Sequence, residues 1–166
     1  DGTNTWAINT ADAGTVTDVF AFTDIDNLTG GSGDDTFNIA SGATLSGNLN
    51  GGAGNDTVVA DNDGNAFMIT GTNSGTLADL TGGFTNIENL TGGSGVDTFT
   101  FTTAGTLSGA INGGDANDEI IGDADGNAFI VNAANAGVLT GKLSGFTSVE
   151  NLTGQDADDT FTINAN

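Results

Sequence analysis

One phrase is written three times in this chain. DIDNLTGGSGDDTF starts at Asp24, NIENLTGGSGVDTF at Asn86 and SVENLTGQDADDTF at Ser148, two equal steps along the sequence. DGNAF, at 63 and again at 125, keeps the same step. A chain built this way has no single privileged core. Each copy must bury its apolar positions against the next, and the shape extends along one axis. The 166 residues divide as 1–62, 63–124 and 125–166, about 2.7 copies in one array, which reads as a stretch of a longer repetitive protein.

The step divides further. Turns rich in glycine and aspartate begin at Gly30, Gly51, Gly92, Gly113 and Gly154, at intervals of 21, 41, 21 and 41. Turns missing from a 20–21-residue beat fall near 10, 71 and 133, where TADAGTV, GTNSGTL and ANAGVL keep a glycine and lose the motif's aspartate. Apolar residues hold the same beat in three rows. The first is Ile8, Leu28, Leu49, Ile69, Leu90, Ile111, Val131 and Leu152. The second runs from Trp6 through Leu45, Phe67 and Phe129 to Val149, and the third from Val16 through Phe37, Val58 and Phe99 to Phe161. No 3.6-residue pattern persists, and the glycines oppose helix. The predicted fold is all-β: a right-handed parallel β-solenoid with coils of 20–21 residues, three coils to each 62-residue repeat. Identical residues would stack inside, with Thr, Asn and Asp facing water.

Charge narrows the function. There are 22 acidic residues, a single Lys142, no Arg and no His, for a formal charge of −21. Phosphate binding needs clustered cations, so nucleic acid and anionic membrane surfaces are excluded as partners. No apolar run reaches membrane-spanning length, so membrane insertion is not expected. An enzyme is not expected either, because the copies repeat and carry no singular cluster of base and cationic groups. Of the acids, 19 are Asp and 3 are Glu. Asp beside Gly is a preference of turns and of cation ligands.

GGSGDDTFN, GGAGNDTVV and GGSGVDTFT match the pattern G-G-x-G-x-D-x-U-x at each fixed position, where U is apolar. GGDANDEII puts Ala116 in place of the third glycine, and GQDADDTFT lacks the second and third. The motif resembles the calcium-binding repeat of RTX (repeats-in-toxin) proteins, and the coil length resembles the β-solenoids of large haemagglutinin-like bacterial adhesins. The resemblance implies Ca²⁺ held by backbone carbonyls and by the sixth-position aspartate. The candidate ligands are Gly30, Gly31, Ser32, Gly33 and Asp35; Gly51, Gly52, Ala53, Gly54 and Asp56; Gly92, Gly93, Ser94, Gly95 and Asp97; Gly113, Gly114, Asp115 and Asp118; and Asp159. One turn supplies half a shell, so turns 30–35 and 51–56 are expected to pair, as are 92–97 and 113–118. Turn 154–159 would lack a partner. DNDGN at 61–65 and DADGN at 123–127, on the opposite edge, echo a calcium loop without its full frame; they read as solvated turns, with cation sites as the alternative. Asp79 reads as a bystander.

The resemblance also implies an extracellular or cell-surface bacterial setting, for a calcium-stabilised stalk, adhesin shaft or biofilm-matrix filament. Neighbouring repeats, or copies arranged head to tail, would cover the ends. The alternative is a glycan- or ice-binding module that uses outward Thr36, Thr57, Thr76, Thr98 and Thr160 as a ladder.

Overall fold

The structure, a computed structural model, describes residues 2–17 and 20–164. It is all-β, with no helix among the described residues and so none long and apolar enough to cross a membrane. The strands are short, as frequent glycine punctuation requires. In chain order they begin β1 (Thr5–Thr10), β2 (Ala13–Val16), β3 (Phe20–Phe22), β4 (Leu28–Gly31), β5 (Thr36–Ile39), β6 (Leu49–Gly52) and β7 (Thr57–Val59). Then come β8 (Ala66–Gly71), β9 (Ser74–Leu77), β10 (Leu80–Thr85), β11 (Asn89–Gly93), β12 (Thr98–Phe101) and β13 (Leu107–Gly114). The last six are β14 (Glu119–Ile121), β15 (Ala128–Ala133), β16 (Ala136–Leu139), β17 (Leu143–Thr147), β18 (Asn151–Thr153) and β19 (Thr160–Ile163).

Two open, mixed sheets share one core. The larger has eleven strands in the order β19-β15-β16-β17-β13-β11-β7-β5-β1-β2-β3, and the smaller has eight, β18-β14-β12-β8-β9-β10-β6-β4. Parallel pairings dominate, and some carry the predicted 21-residue step. Leu28 lies beside Leu49, Phe37 beside Val58, Leu90 beside Ile111 and Phe99 beside Ile120.

The third coil of each repeat is different from the expectation. It is not another parallel turn but an antiparallel meander: β1-β2-β3, β8-β9-β10 and β15-β16-β17. The cause is local. Where the acidic turn is missing, a two-residue loop carries Asp12, Asn73 or Asn135 at φ 50, 50 and 55°, the left-handed region that Asn and Asp tolerate best among side-chain-bearing residues. The chain reverses there instead of crossing. Gly14, Gly75 and Gly137 follow, each opposite the phenylalanine of the third strand, Phe22, Phe84 or Phe146. A Cβ on Gly75 would stand 2.7 Å from the Phe84 ring, so the glycine is a seat for the aromatic.

The meander changes the symmetry of the whole. From β4 the chain visits the smaller sheet, the larger, the smaller, the larger, and then the smaller for the full meander before β11. Five stations is an odd number, so each repeat begins on the sheet opposite to its predecessor. β4 is in the smaller sheet, its equivalent β11 in the larger, and β18 in the smaller again.

The three apolar rows supply most of the core. Ile8, Leu28, Leu49, Ile69, Leu90 and Ile111 are all buried, as are Leu45, Phe67, Ile87, Leu107, Phe129 and Val149. Phe67 stacks on Phe99 at 4.8 Å and Phe129 on Phe161 at 4.9 Å. Apolar side chains lie open at the terminal strands instead: Phe20, Phe161 and Ile163 are 69%, 50% and 73% exposed.

Candidate functional site

The acidic turns stack into columns, and the reason is chemical. At four of the five turns the sixth-position aspartate turns inward, and at the fifth Asp159 is half-buried. Asp35, Asp56, Asp97 and Asp118 are each 1% exposed or less, which corrects the expectation of outward acids. One oxygen of each carboxylate accepts a backbone N–H from the neighbouring layer. In the first column the Asn4 amide donates to Asp35 Oδ1 (2.6 Å), the Asp35 amide to Asp56 Oδ1 (2.7 Å) and the Asp56 amide to Glu88 Oε2 (2.8 Å). The second column repeats it one copy later. The Asn65 amide donates to Asp97 Oδ1 (2.7 Å), Asp97 to Asp118 Oδ1 (2.8 Å) and Asp118 to Glu150 Oε2 (2.9 Å). A third column opens with the Asn127 amide on Asp159 Oδ1 (2.8 Å).

The paired glycines serve this ladder. The second of each pair, such as Gly52 at φ 106°, is left-handed, and a Cβ there would run into the Gly31 carbonyl of the layer below. The first, such as Gly51, leaves the space that Asp56 Oδ2 occupies. Where the motif departs from glycine the backbone is strained: Gln155 sits at φ 126°, as the second glycines of the other turns do, and Ala116 at φ 78°.

The other carboxylate oxygen is left over. Oδ2 of Asp35, Asp56, Asp97 and Asp118 is buried and meets no hydrogen-bond donor. An unpaired buried carboxylate oxygen is costly. Burial is accordingly the main cause that pushes the Asp56, Asp97 and Asp118 carboxyls above the ordinary aspartate value. Glu88 beside Asp56, Asp118 beside Asp97 and Glu150 beside Asp118 push the same way, while the donated amides pull back.

Both expected turn pairs are present: Gly31 lies beside Gly52 and Gly93 beside Gly114. Ser32, Ala53, Ser94 and Asp115 point out into solvent. Turn 154–159 does have a partner, against expectation, because DADGN closes onto it: Asn127 Nδ2 donates to Asp159 Oδ1 at 3.0 Å. DNDGN likewise closes onto turn 92–97, with Asn65 Nδ2 reaching the Gly92 carbonyl. These segments belong to the acidic columns rather than to a separate solvated edge. Nor do the acidic turns keep to one edge, since turns 30–35 and 51–56 lead from the smaller sheet to the larger and turns 92–97 and 113–118 lead back.

Sequence reasoning missed the column ends. Asn4, Asn65 and Asn127 start them, and Glu88 and Glu150 finish two of them, each steadied by the Nδ2 of Asn73 or Asn135. The signal was present, for two of the three glutamates stand one repeat apart in the same ENL phrase. The threonine ladder is divided: Thr36, Thr57 and Thr160 belong to the larger sheet, Thr76 and Thr98 to the smaller.

The donor set suits a hard cation in kind, being all oxygen with anionic oxygens to spare. The first carbonyls of turns 30–35 and 92–97 already accept from Asn4 and Asn65, and the second from the Ala53 and Asp115 amides. No three acidic side chains among the described residues converge as a metal cluster, so backbone and water oxygens would have to complete any shell. No protein-family model matches the chain, and neither a curated protein nor a solved structure matches it.

Proposed function

We propose that the chain is a calcium-stabilised structural and adhesive repeat module of a secreted bacterial surface protein, with a solenoid-like shaft broken by meanders. The observation that carries the reading is the set of buried, unpaired Oδ2 atoms on Asp35, Asp56, Asp97 and Asp118, stacked in pairs in a chain of formal charge −21. Such a chain gains from any bound divalent cation twice over, through relief of self-repulsion and through partners for orphaned oxygens. Oδ2 of Asp35 and Asp56 would hold one ion, and Oδ2 of Asp97 and Asp118 another. Calcium would supply the charge that lets these carboxylates stay ionised when buried. Extracellular modules bind in the range of about 10⁻⁴–10⁻³ M, and a site held at ten times its Kd adds about 1.4 kcal/mol.

Repetition supports a shaft in preference to a catalyst, since each repeat offers the same side chains as the next. The open apolar side chains of β3 and β19 fit further repeats or a second copy as neighbours. The test is thermal unfolding followed by circular dichroism, in millimolar calcium and in excess chelator. Calcium should raise the midpoint; identical curves in the two conditions would overturn the reading.

A further inference from the structure

Two of the repeats differ at one layer, and the difference identifies a second kind of cation site. Leu107 takes its backbone hydrogen bond to the Lys142 carbonyl, as Leu45 takes its own to the Asp79 carbonyl. Leu80 bridges to Leu45 as Leu143 pairs with Leu107. Lys142 and Asp79 are therefore the same position in successive repeats. Asp123 corresponds to Asp61 and Asp125 to Asp63, each one repeat on.

In the later repeat this layer holds a cation. Lys142 Nζ lies 2.5 Å from Asp123 Oδ2 and donates to the Thr103 carbonyl at 2.6 Å and the Thr102 carbonyl at 3.4 Å. Asp123 is 1% exposed and has its neutralising charge built in. The earlier repeat puts an acid where the lysine stands. Asp61, Asp63 and Asp79 line a pocket of about 250 Å³ beside Gly42. Asp61 is 7% exposed. Its Oδ1 takes the Asp63 amide, and its Oδ2 accepts no hydrogen bond among the described residues. Asp63 Oδ2 accepts from Ser41 Oγ at 2.8 Å, which holds that carboxylate over the pocket.

We infer that this pocket binds a hard divalent cation, held by Asp61, Asp63 and Asp79, where the next repeat uses its lysine. Charge selects the valence. Asp123, Asp125 and Lys142 sum to −1, whereas Asp61, Asp63 and Asp79 sum to −3, so a doubly charged ion brings the two layers to the same value. The carboxylates line the pocket without converging, and the volume admits several waters at about 30 Å³ each, so the ion keeps part of its hydration. The pocket adjoins the second column through Asn65, but its three carboxylates are none of Asp35, Asp56, Asp97 or Asp118.

Exchanging the two residues tests it. Calcium chloride titrated into the metal-free protein by calorimetry counts equivalents, and chelator melts measure what the lysine replaces. Asp79→Lys should bind one equivalent fewer than the parent chain and melt higher in chelator. Lys142→Asp should bind one more and melt lower in chelator, with calcium restoring the loss. Both differences should persist in an Asp56→Asn, Asp118→Asn background, so failure of the turn sites would not mask them. Equal equivalents in the parent and both exchanges would overturn the inference, as would Asp79→Lys melting no higher than the parent in chelator. If one exchange does not fold, the other decides.

Discussion

The turn columns and the meanders recur at the same interval, yet they hold the chain by opposite means. A column is polar throughout: buried carboxylates accept amides layer by layer, and each leaves an oxygen unpaired. A meander is apolar at its heart, with a phenylalanine seated on a glycine between hydrogen-bonded strands. The difference teaches that one repeat can carry a part whose strength depends on the solution and a part whose strength does not. A hydrophobic contact is indifferent to protons and calcium at constant temperature; a buried carboxylate is not.

The largest test of this contrast is Phe84→Ala, which empties the seat over Gly75. It should cost about 3–5 kcal/mol, and the same amount in calcium and in chelator. A loss that shrank on adding calcium would break the comparison. Next is Asp118→Ala, which leaves the buried Asp97 amide without its acceptor and should cost about 1–3 kcal/mol. That loss should be greater in calcium than in chelator, when measured by chemical denaturation in both.

Acidification gives a sharper contrast. The Asp56, Asp97 and Asp118 carboxyls sit above the aspartate value of 3.8, so the folded chain holds protons that the unfolded chain has released. Stability from these groups is fully present below the unfolded value and is lost as pH rises through the raised folded values. In chelator the melting temperature should therefore rise as pH falls from neutrality into the carboxylate range. Asp56→Asn, Asp97→Asn and Asp118→Asn together should flatten that rise, which separates it from the general relief of −21 charges. An unaltered slope would mean that these three groups do not carry it. The smallest effect is at the strained turn. Gln155→Gly, at φ 126°, should stabilise by about 0.5–1 kcal/mol, read as a small upward shift in the denaturation midpoint.

Much of this was readable from residues. The apolar rows marked most of the core between Ile8 and Val149, missing at Ile25, which is exposed, and at half-buried Val16 and Val131, and the glycine-aspartate turns marked both stacked pairs. The regular coil beat failed at the meander because it treated every glycine as a crossing. Asn73 and Gly75 make a reversal, and nothing in an apolar spacing distinguishes the two. Phe22, Phe84 and Phe146 fell outside the rows for that reason, although they too are evenly spaced. The site was legible in its residues and not in its orientation. Asp35 and its equivalents were found by motif, whereas their burial depends on an amide one layer away that no local pattern reveals. Asp79 looked idle because its meaning lies in Lys142, one position past the repeat interval.

Five stations per repeat has a consequence for how such a protein can change length. Consider a chain that differs by whole 62-residue repeats. Parity then governs the outcome. Loss of a single repeat sends each downstream strand to the other sheet, so every feature beyond the join faces the reverse side. Loss of two restores the original facing and only shortens the reach. Length variants with an even difference would keep the same facing; those with an odd difference would turn the downstream features to the opposite face, and a partner that reads one side would distinguish them.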